Sequence, residues 1–264
     1  MTVPPTFAVL GLGEAGSEIA VGLRAAGAVV RGFDPRVPAS PGVIPCAGDA
    51  DACRGADVVI SLTTAHEALA ALQAALPGVS PAAIYADLNT SSSALKLALA
   101  ELAASAGITR FADVALMSPV PGMGLRTPML ASGPAAEDYA GLVGGLGAAV
   151  EVVPGPPGVA ADRKLVRSVF FKGLAAAVTE SLRAARAAGY EDWIRDSITR
   201  ELTAASARTV DRLEHGSIRH AARRAEEMAA SAALLRELGV PPRIATASEE
   251  WLRQLMAEQA PGLS

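Results

Sequence analysis

Apolar positions in the first half of the chain come in short runs, each followed by a polar break and then an amphipathic stretch. "FAVLGLGEAGSEIAVGLRAAGAVVRGFD" (7–34) opens with an apolar run, turns through glycines, continues at helical spacing and closes with a second run ending in Asp34. Further β-rich runs stand at 57–63 ("DVVISLT"), 82–90 ("AAIYADLNT"), 110–117 ("RFADVALM"), 127–133 ("TPMLASG") and 149–155 ("AVEVVPG"). Helical stretches rich in Ala and Leu lie at 65–76, 91–106 and 135–146. Strands alternating with helices of this length predict βαβ crossovers and a Rossmann-type, mostly parallel, doubly wound sheet of the α/β class.

After "PGPPG" (154–158) the pattern changes. From 159 onward nearly everything reads as helix, with breaks expected near 189–192, 214–217 and 239–243. The Pro/Gly cluster marks the junction, so the expected organisation is a dinucleotide-binding Rossmann domain over 1–157 and an all-α domain over 158–264. The long apolar helices of the second domain predict a homodimer formed through it.

Composition narrows the function classes. Apolar residues make up 51% of 264, ample for a core, yet no run approaches the ~20 residues that span a bilayer. The opening "MTVPPTFAVLGLG" has no basic stretch of the signal-peptide kind. A net charge of −4 gives no reason to expect nucleic acid or an anionic membrane. Cys46 and Cys53 are the only cysteines and no Cys/His cluster exists. The expectations are a cytoplasmic protein with two unpaired thiols and no metal site.

Gly11, Leu12, Gly13, Glu14, Ala15 and Gly16 form G-x-G-x-x-G where a strand becomes a helix. The first glycine allows the tight turn, the second lets a pyrophosphate approach the backbone, and the third lets helix and strand pack closely. Free N–H groups at the helix start would face the phosphates. Asp34 closes the second strand, where a carboxylate can accept hydrogen bonds from an adenosine ribose and repel a 2′-phosphate. That favours NAD, while Arg31 and Arg36 beside it leave NADP open.

Four stretches resemble the β-hydroxyacid dehydrogenase family, which includes 3-hydroxyisobutyrate, tartronate semialdehyde and 6-phosphogluconate dehydrogenases. "GLGEAG" is similar to its nucleotide loop, and "DLNTSSS" (87–93) stands where the family has D-x-S-T near the nicotinamide. "DVALMSPVPG" (113–122) stands at its substrate loop, D-A-P-V-S-G-G. "GVAADRKLVRS" (158–168) matches G-x-G-x-x-x-K-x-x-N-N, whose lysine is catalytic. Departures fall at Met117, Ser118 and Pro119 in the substrate loop and at Ser168 in place of the second asparagine. With "HAARRAEEM" (220–228) they indicate a divergent branch with a distinctive C-terminal domain.

The resemblance implies a hydride transfer between a nicotinamide coenzyme and a small anionic hydroxy or oxo acid. Lys164 would be the general acid/base; Ser168, which departs from the family's asparagine, stands one turn along the helix, where a hydroxyl can hold the same oxygen or the lysine itself. Ser118, Pro119 and Val120 would border the substrate, and Thr63, Thr64, Asn89 and Thr90 would contact the cofactor. The helix bearing His220, Arg224 and Glu227 on one face would close over the site.

The residues themselves add to this. "DRKLVRSVFFKGL" (162–174) reads as the start of a long buried helix, yet it holds two of the chain's three lysines, Lys164 and Lys172; the third is Lys96. Every other basic residue is arginine apart from three histidines, of which His66 and His215 read as surface residues. Lysine offers an amine that can release its proton when partly desolvated or beside another cation, which arginine does not. Lys164, Ser168 and Lys172 fall four apart and share a polar stripe, with Lys172 placed to anchor a substrate carboxylate. Two other readings stay open: an imine or ketone reductase of the same two-domain plan, and a dinucleotide-binding sensor without turnover.

Overall fold

The computed structural model describes residues 3–259. The first half alternates as its pattern predicts: β1 (Thr6–Leu10), α1 (Glu14–Ala25), β2 (Val29–Phe33), β3 (Ile44–Pro45), α2 (Asp49–Cys53), β4 (Val58–Ser61), α3 (Ala68–Ala75), β5 (Ile84–Asp87), α4 (Ser93–Ser105), β6 (Phe111–Leu116), β7 (Met129–Ser132), α5 (Ala136–Gly144) and β8 (Val150–Val152). The strands form one eight-stranded sheet in the order β3-β2-β1-β4-β5-β6-β7-β8. Every pairing is parallel except β6 with β7. The strand order reverses direction between β1 and β4, the switch point where doubly wound sheets bind ligands.

Both faces of this sheet are covered. Phe7 and Val9 face one core with Ile19, Leu23 and Val114, while Ala8 and Leu10 face the other with Leu72, Tyr85 and Leu99. The period of two along β1 thus feeds two hydrophobic layers. Two short elements escaped the sequence pattern. Strand β3 has two residues, one of them a proline at the sheet edge, and α2 has five, too few for a period to show.

Five helices follow: α6 (Val159–Ala188), α7 (Glu191–Thr203), α8 (Ala207–Arg219), α9 (Ala221–Glu237) and α10 (Arg243–Gln259). The chain divides into two compact units between Arg167 and Ser168, within α6. In the helical unit, Ala221, Ala225 and Leu252 form a small core with Met228 and Leu255. Glu180 of α6 caps α10, accepting from Ile244 N (2.8 Å) and Ala245 N (2.9 Å).

Two expectations are corrected here. The break expected near 214–217 does not exist, because α8 runs through it. Gly216 is used for close approach: a Cβ there would lie 3.0 Å from Arg224 Nη2. The helix instead starts after Ser206, whose N–H donates to Thr209 Oγ1 (3.0 Å), and ends at His220. Nor is α6 buried at its start, since Val166, Val169 and Phe170 are 73%, 76% and 58% exposed. Apolar residues point from this helix in several directions, more than the elements of its own chain cover.

A buried charge cluster ties the sheet to the start of α6. Lys96 of α4 is fully buried, and its Nζ donates to Asp87 Oδ2 (2.6 Å) and Asp87 O (2.7 Å). Asp113 Oδ1 lies 3.1 Å from the same ammonium, an ion pair without full hydrogen-bond alignment. Asp113 Oδ2 accepts from Gly158 N (2.9 Å) and Ala161 N (3.1 Å), the first turn of α6. The antiparallel register sets Ser132 opposite Asp113, and Ser132 Oγ accepts from Ala160 N (3.1 Å). Burial pushes the Asp87 carboxyl up, and Lys96 opposes that push.

Removing the ammonium should strand two buried carboxylates. Lys96→Ala should cost about 3–5 kcal/mol in urea unfolding, against a change within about 0.5 kcal/mol for exposed Lys172→Ala. Equal effects of the two substitutions would contradict this account of the cluster.

Candidate dinucleotide and catalytic site

The glycine loop has the geometry that its spacing requires. Gly11 has φ +91°, and a Cβ there would lie 2.3 Å from Leu62 O. A Cβ at Gly16 would lie 1.9 Å from Gly11 O, so helix and strand meet backbone to backbone. Gly13 differs: a Cβ there would meet no atom within 4 Å. It is the N-cap of α1 and makes no side-chain capping bond, so the first N–H groups of the helix face open space. Leu12 sinks into the core, Glu14 is exposed and Ala15 is half-buried. This cradle fits a pyrophosphate.

Beside it lies a cleft of about 420 Å³ at the ends of β1, β2 and β4, lined by Gly11, Gly13, Asp34, Arg36, Thr63 and Thr64 among others. Asp34 accepts from Leu12 N (2.8 Å), Arg36 N (2.8 Å) and Val37 N (2.9 Å). Burial pushes its carboxyl up, but these N–H donors and the Arg36 guanidinium outweigh it and hold the group below the usual carboxylate range. Arg31 is spent elsewhere, donating to Ala52 O (3.1 Å) and Asp51 O (2.8 Å).

The candidate reacting end follows β4 and β5. Thr63 Oγ1 lies 3.4 Å from Asn89 Oδ1. Asn89 is buried, and its Nδ2 donates to Ser61 Oγ (3.0 Å) and Asp87 Oδ1, so its side chain supports the strand ends from within. Next to it, exposed Thr90 accepts from Lys164 Nζ at 2.7 Å. Lys164 is half-buried, one residue turn beyond the N–H groups that Asp113 caps. Thus Thr63, Thr64, Asn89, Thr90 and Lys164 are brought into one path.

The 117–122 loop is held by Glu18 of α1, whose Oε2 accepts from Gly122 N (3.0 Å). Ser118 is half-buried, Pro119 is exposed, and Val120 turns its side chain into the core, leaving its backbone at the loop. In the helical unit Ser168 is half-buried, whereas Lys172 and His220 are exposed, as are His66 and His215 in their own surroundings. Arg224 lines a groove of about 740 Å³ with Phe170, Met228, Glu227 and Trp251, and its Nη1 donates to Ser217 Oγ (2.8 Å).

Sequence reasoning passed over Lys96, Asp113, Glu18 and Glu67. Lys96 left one signal, a lone lysine in an apolar helical stretch; its partners lie in other strands. Among the described residues no cluster of His, Cys, Asp and Glu could hold a metal, and no helix is long and apolar enough to cross a membrane.

The glycines separate packing from binding. Gly13→Ala should leave the melting temperature nearly unchanged yet weaken NADH about tenfold or more, the worth of a lost charge-assisted hydrogen bond. Gly16→Ala should lower the melting temperature itself, because its Cβ meets backbone. Melting curves and NADH fluorescence titration read both; loss of fold in Gly13→Ala would sink the distinction.

Comparison with known proteins agrees with this geometry. Residues 6–122 match the model of the NAD binding domain of 6-phosphogluconate dehydrogenase, and 185–255 match a domain of unknown function, DUF1932. A conserved hypothetical protein from Sinorhizobium meliloti 1021 is 32% identical over 100% of this chain and 92% of its own, with a TM-score of 0.60. Conserved protein MTH1747, of unknown function and described as structurally similar to 3-hydroxyacid dehydrogenases, is 28% identical over 97% of this chain and 100% of its own, with a TM-score of 0.59. An imine reductase from Myxococcus stipitatus, in complex with NADP+, shares the fold at 18% identity, covering 97% of this chain and 95% of its own, with a TM-score of 0.82. No curated protein matches the sequence. With its NAD(P)-binding Rossmann domain and its DUF1932 helices, the chain belongs to the β-hydroxyacid and 6-phosphogluconate dehydrogenase-like superfamily of dinucleotide-dependent oxidoreductases, in a divergent branch with its own helical C-terminal domain.

Proposed function

We propose that the protein transfers a hydride between NAD, in preference to NADP, and a small hydroxy acid or its oxo counterpart, with Lys164 as general acid/base. The observation that carries this reading is the 2.7 Å hydrogen bond from Lys164 Nζ to Thr90 Oγ1, at the end of the path that starts at the nucleotide cleft. A bound nicotinamide supplies the hydride acceptor or donor. The chain's own residues do the rest. Thr90 orients the amine, and Lys164 takes the hydroxyl proton during oxidation and returns it to the carbonyl during reduction. Asp113 holds the helix start that sets the lysine's position.

Ser168 is the candidate to assist Lys164 one turn along α6. Lys172, His220 and Arg224 are the helical unit's candidates for the substrate carboxylate, and Ser118 with the backbone of Pro119 and Val120 are those of the 117–122 loop. A cytoplasmic homodimer joined through the helices completes the reading. What supports the dimer is exposed apolar surface in the helical unit, at Phe170, Trp193, Val210 and Trp251.

Lys164→Ala should keep NADH binding and lose about 10²–10⁴ in turnover on a panel of small hydroxy acids, and Lys164→Arg should not rescue it. Turnover of cyclic imines that survives Lys164→Ala would assign imine reduction instead, and binding without turnover of any compound would favour a sensor. Sedimentation at micromolar concentration should show a dimer; a monomer would refute that part.

A further inference from the structure

The choice between NAD and NADP turns on what Arg36 is free to do, and Glu67 answers for it. Arg36 follows Asp34 by two residues and lines the nucleotide cleft, the place from which a guanidinium could hold a 2′-phosphate. Its Nη2 instead lies 3.0 Å from Glu67 Oε1. Glu67 is itself held in place: Thr64 Oγ1 donates to Glu67 Oε2 (3.1 Å), and the Glu67 N–H donates to Thr64 Oγ1 (3.3 Å). The carboxylate that occupies Arg36 is therefore anchored to the same cleft wall.

The cleft's remaining charge has one sign. Asp34, Asp49 and Glu67 line it against the single cation Arg36. The other arginine of the region, Arg31, is tied to α2 through Ala52 and Asp51. Asp49, half-buried at the start of α2, lies near enough to Asp34 that the two carboxyls repel.

Resting on the dinucleotide reading above, we infer that Glu67 is a specificity-determining residue: by pairing Arg36 it removes the cleft's one phosphate-binding cation and commits the site to NAD. An adenosine ribose with free hydroxyls meets acceptors at Asp34. A 2′-phosphate meets the carboxylates of Asp34 and Asp49 and a cation already neutralised by Glu67. The Arg36–Glu67 pair is partly exposed, so its grip is modest, and the residue acts on coenzyme choice more than on stability.

Fluorescence titration of the full chain with NADH and NADPH tests this without any substrate. Wild type should bind NADH about tenfold or more tighter than NADPH. Glu67→Gln should tighten NADPH about fivefold, the factor one unit charge carries across a few ångströms in water-like surroundings, and leave NADH within about twofold. The gain should vanish in Glu67→Gln with Arg36→Ala. Arg36→Ala alone should weaken neither coenzyme much, and this variant carries the test if Glu67→Gln misfolds. Equal wild-type affinities, an unmoved ratio in Glu67→Gln, a gain that survives loss of Arg36, or a marked NADPH loss in Arg36→Ala alone would each overturn the inference. Failure to bind either coenzyme would instead overturn the dinucleotide reading.

Discussion

A single buried ammonium organises the first unit. Lys96 donates to two oxygens of Asp87 and pairs with a carboxylate oxygen of Asp113, all three residues being buried. Burying charges is expensive, and such clusters specify position more than they add stability. Here each carboxylate carries that position onward. Asp87 braces Asn89 and with it the strand ends at Ser61 and Thr63. Asp113, with Ser132, satisfies the first N–H groups of α6. Negative charge at a helix N-terminus is favourable, so the cluster fixes where α6 begins and thereby where Lys164 stands.

The two ends of the site use different chemistry. At the nucleotide end the backbone does the recognising. Three glycines shape it by what they leave out, and their spacing alone suffices to describe it. At the candidate reacting end side chains converge instead, from the ends of β4 and β5 and from α6. These meet only because the sheet brings neighbouring strand ends together, and because one strand, β7, runs against its neighbour and so sets Ser132 beside Asp113.

That contrast explains what could be read from the chain. The loop, the helix after it and Asp34 were legible because they are local. The main strands were legible because each is an apolar run bounded by turn residues. A two-residue edge strand and a five-residue helix carry too little pattern to see. Residues 214–217 read as a helix end because glycine often marks one, whereas Gly216 serves the approach of Arg224. Apolar residues along α6 looked like core, for hydropathy records what must be covered and not by what. The pairings of Lys96 with Asp113 and of Arg36 with Glu67 join separate elements, and no local pattern foretells them.

The lysine count gains a meaning from this. In a chain whose exposed cations are arginines almost throughout, the fully buried cation among the described residues is a lysine, and the reason is shape. A planar five-donor head would leave more donors over in a pocket with so few acceptors than a compact ammonium does. Scarcity of one residue type can thus serve as a pointer: where a sequence departs from its own habit, the surroundings have refused the usual choice.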